Sequence, residues 1–199
     1  VTGTVAIIDS GGANIASLTF ALERLGWRGV LTSDIVAIRS AERVILPGVG
    51  AARSAMDRLA ANGLDLLIPT LEQPLLGICL GMQLLFDASD EDETRCLGVL
   101  RGTARRFVAH RDRPVPHMGW NRVHRQRDCP LLHGIEDQAH CYFVHSYALP
   151  LTEDTVARAD YGWQFSAAVA RGNFFGTQFH PERSGPTGAR IIENFLTRC

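Results

Sequence analysis

Short apolar runs of β character alternate with longer helical patterns through the first half of the chain, and this rhythm narrows the possible folds more than any other feature. The runs occupy 4–9 (TVAIID), 43–47 (RVILP) and 75–79 (LLGIC), while helical periodicity covers 14–25, segments within 51–72 and about 80–86. Strands separated by helices pair in parallel and are covered by helices on both faces. The second half changes character, with β-rich segments around 103–108, 120–124, 141–147, 155–159, 165–170 and 174–179 before a last helix over roughly 187–197. These strands are expected to extend the sheet and to add an antiparallel layer beside it. The expected fold is therefore α/β, with a central, mostly parallel sheet flanked by helices and additional antiparallel strands in the second half. At 199 residues, 46% of them hydrophobic, the whole chain (1–199) is read as one domain.

Charge and cysteine content exclude several functions. A net charge of −1 gives no footprint for nucleic acid, which needs a basic excess or stripe. Five cysteines without a C-x-x-C pair suggest neither a disulfide framework nor a zinc site, so no metal and no cofactor are expected, and reduced thiols point to the cytoplasm. No stretch of 18 apolar residues occurs, so neither membrane insertion nor export is expected. The acidic segment DASDEDE at 87–93 reads as a solvated loop.

Three short segments carry chemistry. In PLLGICLGMQLLF the apolar run ends at Cys79, held between Gly77 and Gly81, and a helical apolar face follows. That spacing is the one of a nucleophile elbow, a tight strand-to-helix turn that exposes its central residue, and the helix start favours a thiolate. In NFFGTQFHPERS an apolar strand delivers His180, followed by Pro181 and Glu182. An imidazole can move the proton of a cysteine nucleophile, and a carboxylate can fix the tautomer of that imidazole. In RVILPGVGAA the strand ends in Pro47-Gly48-Val49-Gly50, whose glycines let backbone N–H groups approach a ligand. The oxyanion donors expected are the N–H of Leu80 and one from Gly48, Val49 or Gly50. Taken singly, each segment also has an ordinary reading, as a buried thiol, a strand end or a plain turn.

In this order, PGVG, GICLGMQ and FHPE resemble the class I, triad-type glutamine amidotransferases, a family with a flavodoxin-like sheet. The segments DSGGANIASL (9–18), VPHMGWN (115–121), YFVHSY (142–147) and FGTQFHPERSG (175–185) resemble the branch that forms the glutaminase subunit of imidazole glycerol phosphate synthase. The resemblance implies Cys79 as nucleophile, His180 as general base and acid and Glu182 as the orienting carboxylate. It further implies glutamine as substrate, held by Gln83 with backbone groups near Gly48 and Ser146-Tyr147, and Glu91 as a contact for the glutamine head group. It implies a heterodimer with a (β/α)8-barrel cyclase subunit, with Asn14, Trp120, Tyr142 and Arg183 at the interface. His117 and His145 fall in segments that the resemblance places near the site. A glutaminase serving another synthetase would keep the same three catalytic residues.

Overall fold

In the computed structural model residues 3–11 and 15–199 are described. The first half contains β1 (Thr4–Ile8), α1 (Ile15–Arg24), β2 (Arg28–Thr32), α2 (Ile35–Ser40), β3 (Arg43–Gly48), α3 (Ala52–Ala61), α4 (Leu64–Leu67), β4 (Leu75–Cys79) and α5 (Leu80–Leu84). The second half contains β5 (Ala88–Ser89), β6 (Thr94–Arg95), β7 (Thr103–Arg106), β8 (His117–Arg125), β9 (Ala139–His145), β10 (Tyr147–Ala148), β11 (Thr155–Asp160), β12 (Gln164–Arg171), β13 (Phe174–Thr177) and α6 (Gly185–Arg198).

Nine strands form the main sheet in the order β2-β1-β3-β4-β13-β12-β11-β8-β9. Pairing is parallel from β2 to β13 and antiparallel from β13 to β9. Strands β3 and β4 are buried almost continuously, the pattern of strands covered on both faces. Along β1 and β3 alternate residues serve opposite sides: Val5, Ile7 and Ile45 pack with Leu18 and Leu22 of α1 and with Ile192 and Phe195 of α6, whereas Ala6, Ile8 and Leu46 pack with Ile38, Leu59 and Leu80. Among the described residues no helix is long and apolar enough to cross a membrane.

The second half extends the sheet as expected and adds a second layer, which is mixed rather than antiparallel because β5 and β7 pair in parallel. Strands β8, β9, β11, β12 and β13 extend the main sheet, while β7 joins β10, β5 and β6 in a separate four-stranded sheet. The acidic segment fits the reading as a solvated loop only in part: Asp90, Asp92 and Glu93 are exposed, whereas Ala88 and Ser89 pair in the small sheet and Asp87 accepts from Gly102 N (3.0 Å) while facing Arg101 (3.6 Å). The edge strand β2 and the short helix α2, which Asp34 caps by accepting from Ala37 N (2.7 Å), are further elements that the periodicity did not reveal.

Candidate active site

The site is built on the two neighbouring central strands β4 and β13, which run in register from Leu75↔Phe174 to Ile78↔Thr177. Cys79 closes β4 with φ 54° and ψ −112°, a conformation that costs a residue with a Cβ about 1–3 kcal/mol and persists only where its surroundings enforce it. The enforcement comes from the glycines. A Cβ on Gly81 would lie 1.8 Å from the carbonyl oxygen of Leu46, and one on Gly77 would lie 2.8 Å from the Gly81 carbonyl. Helix α5 therefore rests directly on the backbones of β3 and β4. It has only five residues, so its macrodipole is small, and what remains to offer at the elbow is the N–H groups of its first turn, Leu80 among them.

His180 lies three residues beyond β13, at the start of a 3-10 turn over Pro181–Arg183. Its N–H donates to Tyr142 O (2.9 Å), and Ser184 Oγ donates to His180 O (2.7 Å) while accepting from Tyr142 N (3.0 Å). The His180 backbone is thereby tied to β9. His180 Nδ1 lies 2.8 Å from Glu182 Oε1, and both side chains are buried. A carboxylate can only accept, so Nδ1 carries a proton; Nε2 is buried and makes no hydrogen bond among the described residues, and Cys79 lines the same cavity as His180. Burial works to lower the pKa of His180, but Cys79 and Glu182 outweigh it and push the value up to about 10. Since the folded value lies above the ordinary 6.5, the proton on His180 contributes stability that is complete below about pH 6.5 and is lost as pH rises through about 10. Urea unfolding of the wild type and of His180→Gln across that window should give a stability difference that shrinks as pH rises. A constant difference would contradict the charged ring.

A cavity of about 280 Å³ opens beside the thiol, lined by Val49, Gly50, Cys79, Leu80, Gln83, Glu91, Pro116, Val144, His145, Ser146, Tyr147 and His180. Drug-sized ligands occupy roughly 300–1,000 Å³, so this one suits a small polar metabolite. Cys79 Sγ lies 3.7 Å from Val144 O. Of the residues proposed from sequence for the oxyanion, Val49, Gly50 and Leu80 are walls of the cavity. Gly48 is not; it pairs with Cys79 in the sheet, and a Cβ on it would lie 2.6 Å from Gly81 N. Gly50, at φ +90°, has nothing within 4 Å of where its Cβ would stand. Glu91 faces the cavity and accepts from Ala52 N (2.7 Å) at the start of α3. Gln83 is buried, and its Nε2 donates to Tyr147 O (2.7 Å) and to Gln178 Oε1 (2.9 Å).

Sequence reasoning missed Gln178. It is fully buried, and its Nε2 donates to Cys79 Sγ (3.7 Å). The available signal was an amide directly after a largely apolar strand, two residues before His180.

Three of the four interface candidates form one cluster, and none of the three lines the cavity. Trp120 and Tyr142 are cross-strand partners on β8 and β9 with ring centroids 6.0 Å apart, and the Arg183 guanidinium stands 4.4 Å over the Tyr142 ring. Met118 and Trp120 are more than half exposed. Asn14 lies outside the described residues.

The family model for class-I glutamine amidotransferase matches residues 6–199. Imidazole glycerol phosphate synthase subunit HisH of Xanthomonas axonopodis pv. citri (strain 306) is 53% identical over 192 residues, covering 96% of each chain. Subunit HisH 2 of Legionella pneumophila (strain Paris) is 51% identical over 193 residues, covering 97% of each. Among solved structures, a glutamine amidotransferase has a TM-score of 0.76 at 20% identity over 98% of this chain and 97% of that one. A glutamine amidotransferase from Thermotoga maritima has a TM-score of 0.66 at 19% identity over 98% of this chain and 83% of that one. At such identities the likeness is one of fold. A match from residue 6 to the last, with relatives identical at about half their positions over nearly their whole length, makes the chain a member of the class-I glutamine amidotransferase family.

Proposed function

We propose that the chain is the glutaminase subunit of an imidazole glycerol phosphate synthase and releases ammonia from glutamine for the cyclase subunit of that enzyme. The relatives that match nearly end to end carry that name. The observation that carries the chemistry is a buried His180–Glu182 pair facing a strained Cys79 across one small cavity.

In this reading the Cys79 sulfur, its proton given up to His180, attacks the side-chain amide carbon of glutamine. Negative charge develops on the amide oxygen and is met by the Leu80 N–H and by an N–H of the Val49-Gly50 loop. Imidazolium His180 gives its proton to the departing nitrogen, and ammonia leaves behind a γ-glutamyl thioester. Water, deprotonated by His180, then attacks the thioester, releasing glutamate and restoring the sulfur. Glu182 holds the imidazole and offsets its charge throughout. Ser146, Tyr147, Gln83 and Glu91 surround the rest of the glutamine, with Gly48 supporting the loop from beneath.

The Val49-Gly50 segment suits a gate. One oxyanion donor is worth about 10²–10³ in rate, and a loop free of packing at Gly50 can turn its N–H in or out. The Trp120–Tyr142–Arg183 cluster, with Asn14, is the face offered to a (β/α)8-barrel cyclase, through which ammonia would travel. Aromatic and arginine side chains of this kind dominate binding energy at interfaces. The whole chain works as one glutaminase domain in the cytoplasm.

The test is glutamate release from glutamine by the purified chain, first alone and then with the cyclase partner in the presence of its nucleotide ligand. Stimulation of about 10²-fold or more, the worth of one oxyanion donor, is expected with the loaded partner. High activity alone with no response would move the chain to another amidotransferase branch.

A further inference from the structure

Two histidines take no part in the chemistry above, yet both are buried beside it, His145 in the cavity wall. His145 Nδ1 lies 2.8 Å from Tyr147 O, and His145 Nε2 lies 2.9 Å from His117 Nδ1. At the far end His117 Nε2 lies 3.3 Å from Asn121 Nδ2.

The protons on this chain can be placed without ambiguity. Asn121 Oδ1 accepts from Arg122 N (2.7 Å) and its Nδ2 donates to Asp160 O (2.9 Å), which fixes the amide. An N–H therefore points at His117 Nε2, so that atom is a bare acceptor and the proton of His117 sits on Nδ1. His117 Nδ1 donates to His145 Nε2, which is bare in turn, and His145 donates through Nδ1 to the Tyr147 carbonyl. Both rings are neutral. Their surroundings favour that state: His117 lies between the rings of Phe143 and Tyr161 (centroids at 5.0 and 4.0 Å), and Phe107 and Phe165 close the pocket. Burial lowers His117 to about 4 and His145 to about 3.

The Tyr147 carbonyl is also the acceptor that orients Gln83. Since a carbonyl cannot donate, the nitrogen of Gln83 must face it. The second N–H of Gln83 then points at Gln178 Oε1, which turns Gln178 Nε2 toward Cys79 Sγ.

We propose that the His117–His145 pair is a positioning device of the glutaminase reaction: a one-way chain of neutral hydrogen bonds from Asn121 that pins the Tyr147 carbonyl and, through Gln83 and Gln178, aims an N–H at the Cys79 sulfur. The proposal rests on Cys79 as the nucleophile. His117 and His145 touch neither sulfur nor substrate amide in it; they act through Tyr147. Their neutrality leaves His180, among the described residues, as the only cationic ring beside the thiol.

The test separates donation from packing at position 117. His117→Phe keeps an aromatic ring between Phe143 and Tyr161 but removes the donor to His145. His117→Asn loses the ring but can place an amide N–H where Nδ1 stood. Glutamine hydrolysis by the full chain with its cyclase partner is measured together with the rate at which iodoacetamide labels Cys79, followed by mass spectrometry of its peptide. The Phe variant should lose about tenfold in kcat and in labelling rate, the effect of leaving one buried acceptor unpaired, with KM moved less than about threefold. The Asn variant should recover to within about threefold of the wild type. A Phe variant within threefold of the wild type, or an Asn variant no better than Phe, overturns the proposal. If the Phe variant does not fold, Gln178→Met, which removes the N–H aimed at sulfur, must lower the labelling rate by a similar factor, and unchanged labelling would overturn the proposal as well. Cys79→Ala assayed alongside keeps the two readings apart: turnover retained there rejects the nucleophile, whereas turnover lost there with position 117 indifferent rejects the positioning chain alone.

Discussion

Cys79→Ala is expected to lower glutamine hydrolysis by at least about 10³-fold while leaving the fold in place, because the thioester has no other sulfur to form on. The remaining cysteines do not substitute. Cys96, Cys129 and Cys141 are buried, neither they nor the half-buried Cys199 line the cavity, and burial pushes the Cys96 thiol up to about 11 and the Cys141 and Cys199 thiols up to about 12. Alanine has a Cβ like cysteine, so the left-handed turn at φ 54° carries the same strain before and after the change. Removing the sulfur also takes away one of the two groups that hold the proton on His180, so stability should fall by no more than about 3 kcal/mol, which leaves the chain folded. The check is glutamate release alongside a urea titration. Turnover within tenfold of the wild type would end the assignment of the nucleophile.

Gly81→Ala is expected to be the most damaging single methyl group that can be added near the site. Its Cβ would stand 1.8 Å from the Leu46 carbonyl oxygen, and both partners are backbone in the middle of the fold, so no side chain can swing aside. Helix α5 would have to lift from β3 by more than an ångström, loosening Leu80, Met82 and Leu84, all buried in one cluster. We expect a stability loss of about 3 kcal/mol or more, a large share of the roughly 5–15 kcal/mol that holds a domain together. The elbow moves with the helix, and a shift of about 1 Å at a reacting atom can cost about 10² in rate. A urea midpoint equal to that of the wild type would refute the direct contact of helix and strand. Gly50, where a Cβ would meet nothing within 4 Å, should lose no stability to a clash.

The same contrast explains which parts of the fold were legible beforehand. The strands β1, β3 and β4 are long apolar runs because both faces are covered, and that burial writes a visible pattern. β2 escaped notice because an edge strand that is half exposed, RGVLT, needs no such run. Parts of the small sheet escaped because strands of two residues, such as Ala88–Ser89 and Tyr147–Ala148, are too short to show a period. At the site, Cys79, His180 and Glu182 were readable from spacing because a tight turn and a fixed proline leave marks in sequence. Gln178 was not, since its role depends on β13 lying beside β4, a contact between residues 99 apart in the chain. Gly48 was read as a glycine for ligand approach, whereas the space it leaves is filled by Gly81. One sequence signal, a missing Cβ, serves both purposes, and only the packing tells them apart.

The place of β13 in the sheet also bears on how the protein is made. Residues 174–177 do not add to a rim; they fill the slot between β4 and β12, and among the described residues no other strand bridges the parallel half to the antiparallel half. While the ribosome has yet to release them, two interior strands stand with bare hydrogen-bonding edges, the state in which chains associate wrongly. Because Gln178 and His180 arrive with that same wedge, a nascent chain exposes the Cys79 thiol before it owns the base that makes it useful. Completion of the sheet and onset of glutamine hydrolysis should therefore be a single event in biosynthesis.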